Sequence, residues 1–377
     1  MLHLLRLRST QRPLRLRSSK KTRRSAQRED GSQRHMKDYN YLMPRICIVP
    51  RVEGRGGVTS FRLKFEDGLR TRGVDVTHDL SQQADAVLVL AGTRNLFSLW
   101  RARRRGMRIV QRLDGINWVH RARWAGLRYT VRAIYGNANL SFIRARLADL
   151  VIYQSQFIKH WWEDWYRPAR VPSSVIINGV DLNRYTPHGL HERPSSHYRL
   201  LVVEGSLAGG QNSGLFNAVS LAEALSKKFK IELTIVGRVD GRSKNKLKNQ
   251  LAFRIRFMNT IPPEQIPWMM RSSHLLFSAE VNPPCPNSVI EALACGLPVI
   301  SFDTGSLSEL VQGDAGRLVP YGANEWKLEP PDISTLADAA PEVLQEQSRF
   351  RKSARERAES TLGVNKMVDE YLKVLLE

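Results

Sequence analysis

The sequence predicts an α/β protein with two domains, each built around a parallel β-sheet. The chain has 377 residues, which is enough for two domains with separate cores. Short apolar runs alternate with helical or polar stretches along most of it, and this alternation is typical of β/α units in a parallel sheet. The first apolar run, Arg45–Pro50, leads into a glycine-rich turn and a helix, which together form a generic unit for approaching a phosphate, without the G-x-G-x-x-G spacing of a dinucleotide site.

Charge is the feature that separates this chain from an average soluble protein. The formal net charge is +22, so we expect binding to polyanions such as nucleic acid, anionic lipid or a phosphorylated substrate. No apolar run reaches about 18 residues, which predicts no membrane-spanning helix. The scattered cysteines Cys47, Cys285 and Cys295 lack metal-binding spacing and favour a reducing, cytoplasmic compartment. Cys285 lies in a loop, where it could be reactive.

Residues 1–42 form a basic extension with no acid before Glu29, and this composition predicts disorder. Three interpretations compete. The segment could be a basic arm for nucleic acid or anionic membrane, or an organelle transit peptide. It could also be an upstream extension from a misassigned start, with Met43 or Met36 as the initiator. The last is favoured, because a well-formed domain edge begins at Arg45, just after Met43.

The first domain is expected over residues 43–187. A helix from about Thr59 to Arg70 follows the opening glycine turn, and its apolar positions suit packing on a sheet: Phe61, Leu63, Phe65 and Leu69. Three further strands are predicted at Ala86–Leu90, Arg108–Gln111 and Asp149–Tyr153. Asp114 comes just after the second of these, at the end of a strand where open α/β sheets bind ligands. It could equally be a turn residue before Gly115.

Many arginines lie between Arg94 and Arg146, with tryptophans interleaved at positions 100, 118 and 124 and more at 161, 162 and 165. Arginine and tryptophan on helices of one domain suit the surface of an anionic bilayer. A solvated basic face above core tryptophans is an equally consistent interpretation. Because the chain has no RRM, KH, zinc-finger or helix-turn-helix pattern, we expect no specific nucleic-acid partner.

The second domain, expected over 198–360, is organised around the stretch from Asn282 to Gly305. A proline-rich loop at 282–286 precedes a helix that should start at Asn287 or Ser288, both good N-cap types. The helix should bury Ile290, Leu293 and Ala294 and end at Gly296, with a buried strand after it.

Helical spacing places Glu291 on the same face as Asn287 and Ser288. A carboxylate there can accept hydrogen bonds from sugar hydroxyls, and the N–H groups of the helix start can bind phosphate oxygens. Alternatively, Glu291 is a surface acid near a helix start, where a negative charge is stabilising in any protein.

These residues resemble the nucleotide-sugar-binding signature of the GT-B glycosyltransferases, most closely glycosyltransferase family 4. That signature has two Glu residues, the second opening E-A-[ML]-A-x-G-x-P-V, which Glu291 and residues 292–299 match. The first Glu of the signature would fall at Pro283, so this chain lacks it. A second family motif, I-x-N-G-V-D-x-x-x-[FY]-x-P, matches residues 176–187 and ends at Pro187. A polar linker at 188–197 follows this motif.

The resemblance implies two Rossmann-like domains facing across a cleft, with a final helix, residues 361–377, that crosses back to the first domain. It implies transfer of a hexose from a nucleoside diphosphate sugar to a hydroxyl of a glycan or lipid-linked acceptor, with retention and without metal or cofactor. The implied sugar contacts are Asn282, Asn287 and Asp114. Of these, Asp114 aligns with a His of the family. The implied donor-binding residues are Gly56, Gly57, Ser206, Gln211, Arg238, Asn287, Ser288 and Glu291.

The chain departs from the family at the diphosphate. Ser206 and Gln211 stand where relatives carry an Arg and a Lys that neutralise the leaving group, and Arg238 is the candidate to compensate. Two rival functions on the same fold are a sugar-nucleotide isomerase and a catalytically weak relative that binds a glycan or a partner. A third, a polyanion-binding protein, is supported by charge alone. The basic first domain also predicts a peripheral position at the inner face of the membrane.

Overall fold

The computed structural model describes residues 43–54, 56–124, 126–207, 213–247 and 251–377. Within these ranges the chain forms two parallel six-stranded sheets with helices packed against them. The predicted α/β class is therefore confirmed. The basic extension, 1–42, and Gln211 lie outside the described residues, so what was expected of them stays a prediction.

The first sheet has the strand order β2-β1-β3-β4-β5-β6. Its strands are β1 (Arg45–Val49), β2 (Asp75–Thr77), β3 (Ala86–Leu90), β4 (Arg108–Leu113), β5 (Leu150–Tyr153) and β6 (Ser173–Val175). Its helices are α1 (Gly57–Arg70), α2 (Leu96–Arg104), α3 (Val119–Ala122), α4 (Leu127–Phe142) and α5 (Gln156–Tyr166). The three strands predicted after β1 are present, and β4 runs on to Leu113, so Asp114 follows its last residue.

The second sheet has the order β12-β11-β10-β7-β8-β9. Its strands are β7 (Tyr198–Ser206), β8 (Ile231–Arg238), β9 (Arg254–Asn259), β10 (Leu275–Phe277), β11 (Val299–Phe302) and β12 (Gly316–Val319). The helices that follow are α6 (Ser213–Ser226), α7 (Gly241–Leu247), α8 (Ile266–Arg271), α9 (Asn287–Ala294), α10 (Leu307–Leu310), α11 (Ile333–Gln345), α12 (Gln347–Thr361) and α13 (Val364–Leu376). Strand order reverses between β7 and β10, and open α/β sheets bind ligands at such a switch point.

The last helix, α13, packs on α1 of the first sheet, as the resemblance implied. The Tyr371 ring lies 5.3 Å from the Phe61 ring and 5.1 Å from the Phe65 ring. The predicted burial of Leu63 is wrong, because that side chain is 54% exposed. Phe61, Phe65 and Leu69 are spaced by one turn and share the buried stripe, whereas Leu63 lies two residues away on the opposite side of the helix.

Helix α9 is the element that carries most of the predicted site. It begins directly after Pro286, and neither predicted N-cap forms a side-chain cap: Asn287 is the first helical residue. The helix ends in a Schellman motif, with Gly296 at φ +64°. There the Leu297 N–H donates to the Ala292 carbonyl over 2.8 Å, and the Gly296 N–H donates to the Leu293 carbonyl over 2.9 Å.

Some tryptophans of the arginine-rich region lie in the core and others lie at the surface, so neither of the two interpretations applies to all of them. Trp118, Trp161 and Trp162 are core residues. Trp100 and Trp124 are 42% and 78% exposed, so they belong to the surface. Along the described ranges, no helix is long and apolar enough to cross a bilayer.

Candidate functional site

The start of α9 faces the glycine turn of the first sheet. A methyl group built on Gly57 would lie 3.7 Å from Nδ2 of Asn287. Gly56 has φ +139°, a backbone conformation that favours glycine. Because Gly56 and Gly57 have no side chains, the backbone atoms of the turn can lie close to α9. Two segments predicted to contact the donor, more than two hundred residues apart in sequence, are thus brought together.

Asn178 connects the first half of the chain to the loop and helix of the second. Its Nδ2 lies 3.1 Å from Gln154 Oε1, 3.3 Å from the Cys285 carbonyl and 3.3 Å from Asn287 Oδ1. Its Oδ1 accepts from the Arg112 guanidinium over 2.9 Å. Asn178 lies inside the second motif that matches the family, but the sequence did not single it out as a site residue. The structure assigns it a role in positioning Asn287.

The side chain of Asp114 is held in place by hydrogen bonds from two neighbouring side chains. Its Oδ1 accepts from the Arg112 Nη1 over 2.6 Å and also from the amide of Gln154. Arg112 is only 1% exposed, and its guanidinium lies 3.9 Å from the Phe61 ring centroid. Burial alone would lower the pKa of Arg112, but the charge of Asp114 and the Tyr371 hydroxyl outweigh it and raise that pKa. Arg112 therefore remains a cation that holds the Asp114 carboxylate in place.

Glu291 lies at the interface between the halves and is 9% exposed, so the interpretation of a solvated surface acid is wrong. Its Oε1 accepts from Lys64 Nζ, on α1, over 3.2 Å. Lys64 also reaches the Gly179 carbonyl at 3.5 Å. Burial and, next, the nearby charge of Glu291 raise the pKa of Tyr185. Sequence reasoning did not identify Lys64, because the two partners come from different halves of the chain.

A cavity of 450 Å³ lies beyond the switch point of the second sheet. Ser206 and Asn282, both predicted site residues, line it. The first half of the chain contributes further lining residues, which include Gly115, Asn117, Trp118, Tyr129 and Trp161. The cavity thus lies between the two halves, next to Asp114 through its neighbour Gly115.

The remaining predicted residues are dispersed. Ser288 is half-buried in the first turn of α9. Arg238 is exposed at the end of β8, where it pairs in register with Ser206, and it does not line the cavity. Gln211 belongs to the segment 208–212, outside the described residues. Compensation by Arg238 for the family's missing Arg and Lys therefore stays a prediction.

Cys285 is not a reactive thiol. It is 5% exposed, and burial raises its pKa to about 12, so it stays protonated. Burial also raises the pKa of Cys47 and of Cys295 to about 12, and both fill core positions, as predicted. In the part of the chain that the structure describes, no group of three or more His, Cys, Asp or Glu could hold a metal ion.

Residues 200–348 match the family model described as Glycosyl transferases group 1. A protein of Streptomyces fradiae, 2-deoxystreptamine N-acetyl-D-glucosaminyltransferase, is 27% identical over 114 residues, which are 30% of this chain and 25% of that protein. The match thus spans only a quarter of the length of this relative.

Solved structures share the fold over most of the chain. Sucrose-phosphate synthase of Thermosynechococcus elongatus superposes with a TM-score of 0.67 and 16% identity, covering 88% of this chain and 98% of that one. HepE of Anabaena, in complex with UDP-glucose, gives a TM-score of 0.61 and 17% identity, covering 88% and 100%. The two parallel sheets and the solved structures that share them show the GT-B fold. Residues 200–348 are similar to the group 1 glycosyl transferases, so the resemblance seen in the motifs of the chain is confirmed.

Proposed function

We propose that this protein transfers a hexose from a nucleoside diphosphate sugar to an acceptor hydroxyl, with retention of anomeric configuration. The observation that carries the proposal is the meeting of α9 with the glycine turn, where Asn287 faces Gly57 and the buried Glu291 lies one turn further along. In the first turn of α9 the Val289 N–H donates to the Pro286 carbonyl over 3.2 Å, whereas the N–H groups of Asn287 and Ser288 have no backbone acceptor among the described residues. These two groups sit at the positive end of the helix dipole. They suit the diphosphate, and Glu291 suits the hydroxyls of the ribose.

Departure of the diphosphate needs stabilisation of developing negative charge. In the proposed reaction the N–H groups at Asn287 and Ser288 provide it without a metal, and Arg238 adds a cation from the end of β8. The fixed carboxylate of Asp114 and the loop at Asn282 contact the transferred sugar, taking the place of the acid that the family has at Pro283.

The sugar panel for testing this function follows from the relatives. HepE of Anabaena was solved with UDP-glucose, and the Streptomyces fradiae protein is named for transfer of N-acetyl-D-glucosamine. We therefore expect release of nucleoside diphosphate from UDP-glucose or UDP-N-acetylglucosamine, among UDP-, GDP- and ADP-sugars, and greater release with an acceptor present. Glu291→Ala should abolish it. Nucleotide binding without turnover would favour the weak-relative interpretation, and interconversion of the donor sugar would favour an isomerase.

We also propose that the acceptor is presented at an anionic membrane on the cytoplasmic side. Helices α2 and α4 expose apolar side chains that we call the basic aromatic face: Phe97, Trp100, Leu127, Val131, Ile134 and Tyr135. The Arg104 guanidinium lies 5.1 Å from the Trp100 ring centroid. Asp114 is the only acid in the sequence between Arg94 and Leu147, so this face has little to repel anionic lipid.

Vesicle sedimentation tests the membrane proposal. The protein should bind phosphatidylglycerol vesicles and not phosphatidylcholine vesicles. The double variant Phe97→Ser/Trp100→Ser should lose this binding, since both rings are exposed and their removal costs little stability. Leu190→Ser, at an 87% exposed position outside this face, is the matched control and should bind like wild type. Equal binding by all three proteins would contradict the proposal.

A further inference from the structure

A cavity of 360 Å³, which we call the arginine cavity, lies at the carboxyl ends of β1 and β2 in the first sheet. Its lining includes Arg51, Arg101 and Arg105. Strand order reverses between β1 and β3, and open α/β sheets bind ligands at such a switch point. All of its described lining residues belong to the first half of the chain, so it is separate from the cavity between the halves.

The charge of the arginine cavity favours an anion. Three guanidinium groups line it, whereas Asp79 is the one acid among the described lining residues. Asp79 Oδ1 accepts from the Ser81 N–H over 2.8 Å and Oδ2 accepts from the Ser81 hydroxyl over 2.7 Å. Arg51 lies 3.9 Å from Glu53, but both side chains are largely exposed, and such a pair is weak. Guanidinium groups are therefore in excess, and their planar shape suits two oxygens of a phosphate.

The start of α2 adds hydrogen-bond donors to the arginine cavity. Asn95, the N-cap, and Ser98, in the first turn, both line it. The Asn95 side chain does not cap the helix, and the first turn carries no acid. Among the described residues, the N–H groups of Leu96, Phe97 and Ser98 have no backbone acceptor. Free N–H groups at a helix start attract an anion, and here they lie beside the arginines.

A neighbouring cavity of 460 Å³ has room for the group that would carry the phosphate. The two cavities share Pro50, Thr93 and Asn95. Pro50 belongs to the loop after β1 that contains Gly56, so both cavities lie at the same edge of the first sheet as the glycine turn that faces α9. Tyr135 lines the neighbouring cavity, is 59% exposed and belongs to the basic aromatic face. The neighbouring cavity therefore adjoins the surface proposed to contact the membrane.

We propose that the arginine cavity binds a phosphate group of the acceptor, which is either a phosphorylated sugar or the head group of a phospholipid. Arg51, Arg101 and the start of α2 hold the phosphate oxygens, and the rest of the acceptor occupies the neighbouring cavity. The proposal rests on the proposed function, because the phosphate belongs to the acceptor of the transfer. It leaves the donor diphosphate at the start of α9.

Calorimetric titration of the full chain with glucose 6-phosphate and glucose, and with sn-glycerol 3-phosphate and glycerol, tests the proposal. We expect each phosphorylated compound to bind about tenfold or more tightly than its parent, the worth of one charge-assisted hydrogen bond. The double variant Arg51→Gln/Arg101→Gln should lose this preference, and both positions are exposed, so it should fold. Arg170→Gln/Lys228→Gln removes the same charge at exposed positions outside the cavity and should keep the preference.

Vesicles separate the two sources of the phosphate. If the phosphate belongs to a lipid head group, saturating phosphatidylglycerol vesicles should abolish binding of sn-glycerol 3-phosphate, whereas phosphatidylcholine vesicles should not. If it belongs to a soluble phosphorylated sugar, neither kind of vesicle should change that binding. Both results support an acceptor phosphate in the arginine cavity.

Equal binding of phosphorylated and parent compounds to wild type, or a preference that the double variant keeps, would overturn the proposal. A preference kept in the double variant would mean that phosphate binds elsewhere, for example at the start of α9. UDP and GDP are titrated in parallel. Absence of the phosphate preference with nucleotide binding intact counts against the acceptor phosphate only, whereas absence of nucleotide binding counts against the proposed transferase function.

Discussion

The contact between Glu291 and Lys64 makes the sharpest prediction about donor binding. Glu291→Gln keeps the size of the side chain and removes its charge, and Lys64 no longer has a carboxylate to pair with. If Glu291 accepts hydrogen bonds from the ribose, the variant loses a charge-assisted contact worth about 1.5–3 kcal/mol. Binding of the preferred nucleoside diphosphate should then weaken by about 10- to 100-fold.

Lys64→Met is the complementary change, because it leaves the carboxylate in place without its cation. Removing one partner of a fully buried pair costs about 3–5 kcal/mol. The Lys64 side chain is 20% exposed, so water screens part of this pair and we expect a loss of about 1–2 kcal/mol in the free energy of unfolding. Nucleotide affinity should fall less than in Glu291→Gln, since both oxygens of Glu291 remain.

Isothermal titration of nucleoside diphosphate gives the affinities, and urea unfolding gives the stabilities. Glu264→Gln is the matched control, because its carboxylate is 74% exposed and lies 3.6 Å from Arg184 at the surface. The reasoning would be refuted by a Glu291→Gln protein that unfolds normally and binds nucleotide within about twofold of the control.

Three further changes test the parts around this site. Asn178→Ala leaves the buried Arg112 guanidinium without one acceptor, and urea unfolding should show a loss of about 1–3 kcal/mol. Gly305→Ala places a methyl group 2.4 Å from the Pro283 nitrogen at φ +64°, so titration should show weaker nucleotide binding as the 282–286 loop shifts. Burial lowers the pKa of His274 to about 4. Below its ordinary pKa of about 6.5 the unfolded chain binds a proton that the folded chain does not, so the free energy of unfolding should fall by about 2 kcal/mol from pH 6.5 to 5. His274→Asn should flatten this slope, and an equal slope in both proteins would contradict the assignment.

Much of the fold followed from local pattern. The strand Ala86–Leu90 is an unbroken apolar run, and Val299–Phe302 is apolar except for Ser301, as is typical of strands buried on both faces. The end of α9 at Gly296 followed from the need for a left-handed residue there. The predicted burial of Leu63 was wrong, because the apolar character of one residue does not show which side of its helix packs against the rest of the chain.

The contacts that organise the site depend on pairings that no local pattern encodes. Lys64 and Glu291 are 227 positions apart, and Arg112 and Asn178 are 66 apart.

The central claim is that a nucleoside diphosphate lies between the start of α9 and the glycine turn of the first sheet. Hydrogen exchange followed by mass spectrometry, with UDP, GDP and ADP added separately, tests it most directly. One of these should slow exchange in peptides covering 56–64 and 282–294 together in wild type, and not in Glu291→Ala. Protection of neither segment by any of the three, or protection confined to the basic aromatic face, would contradict the account.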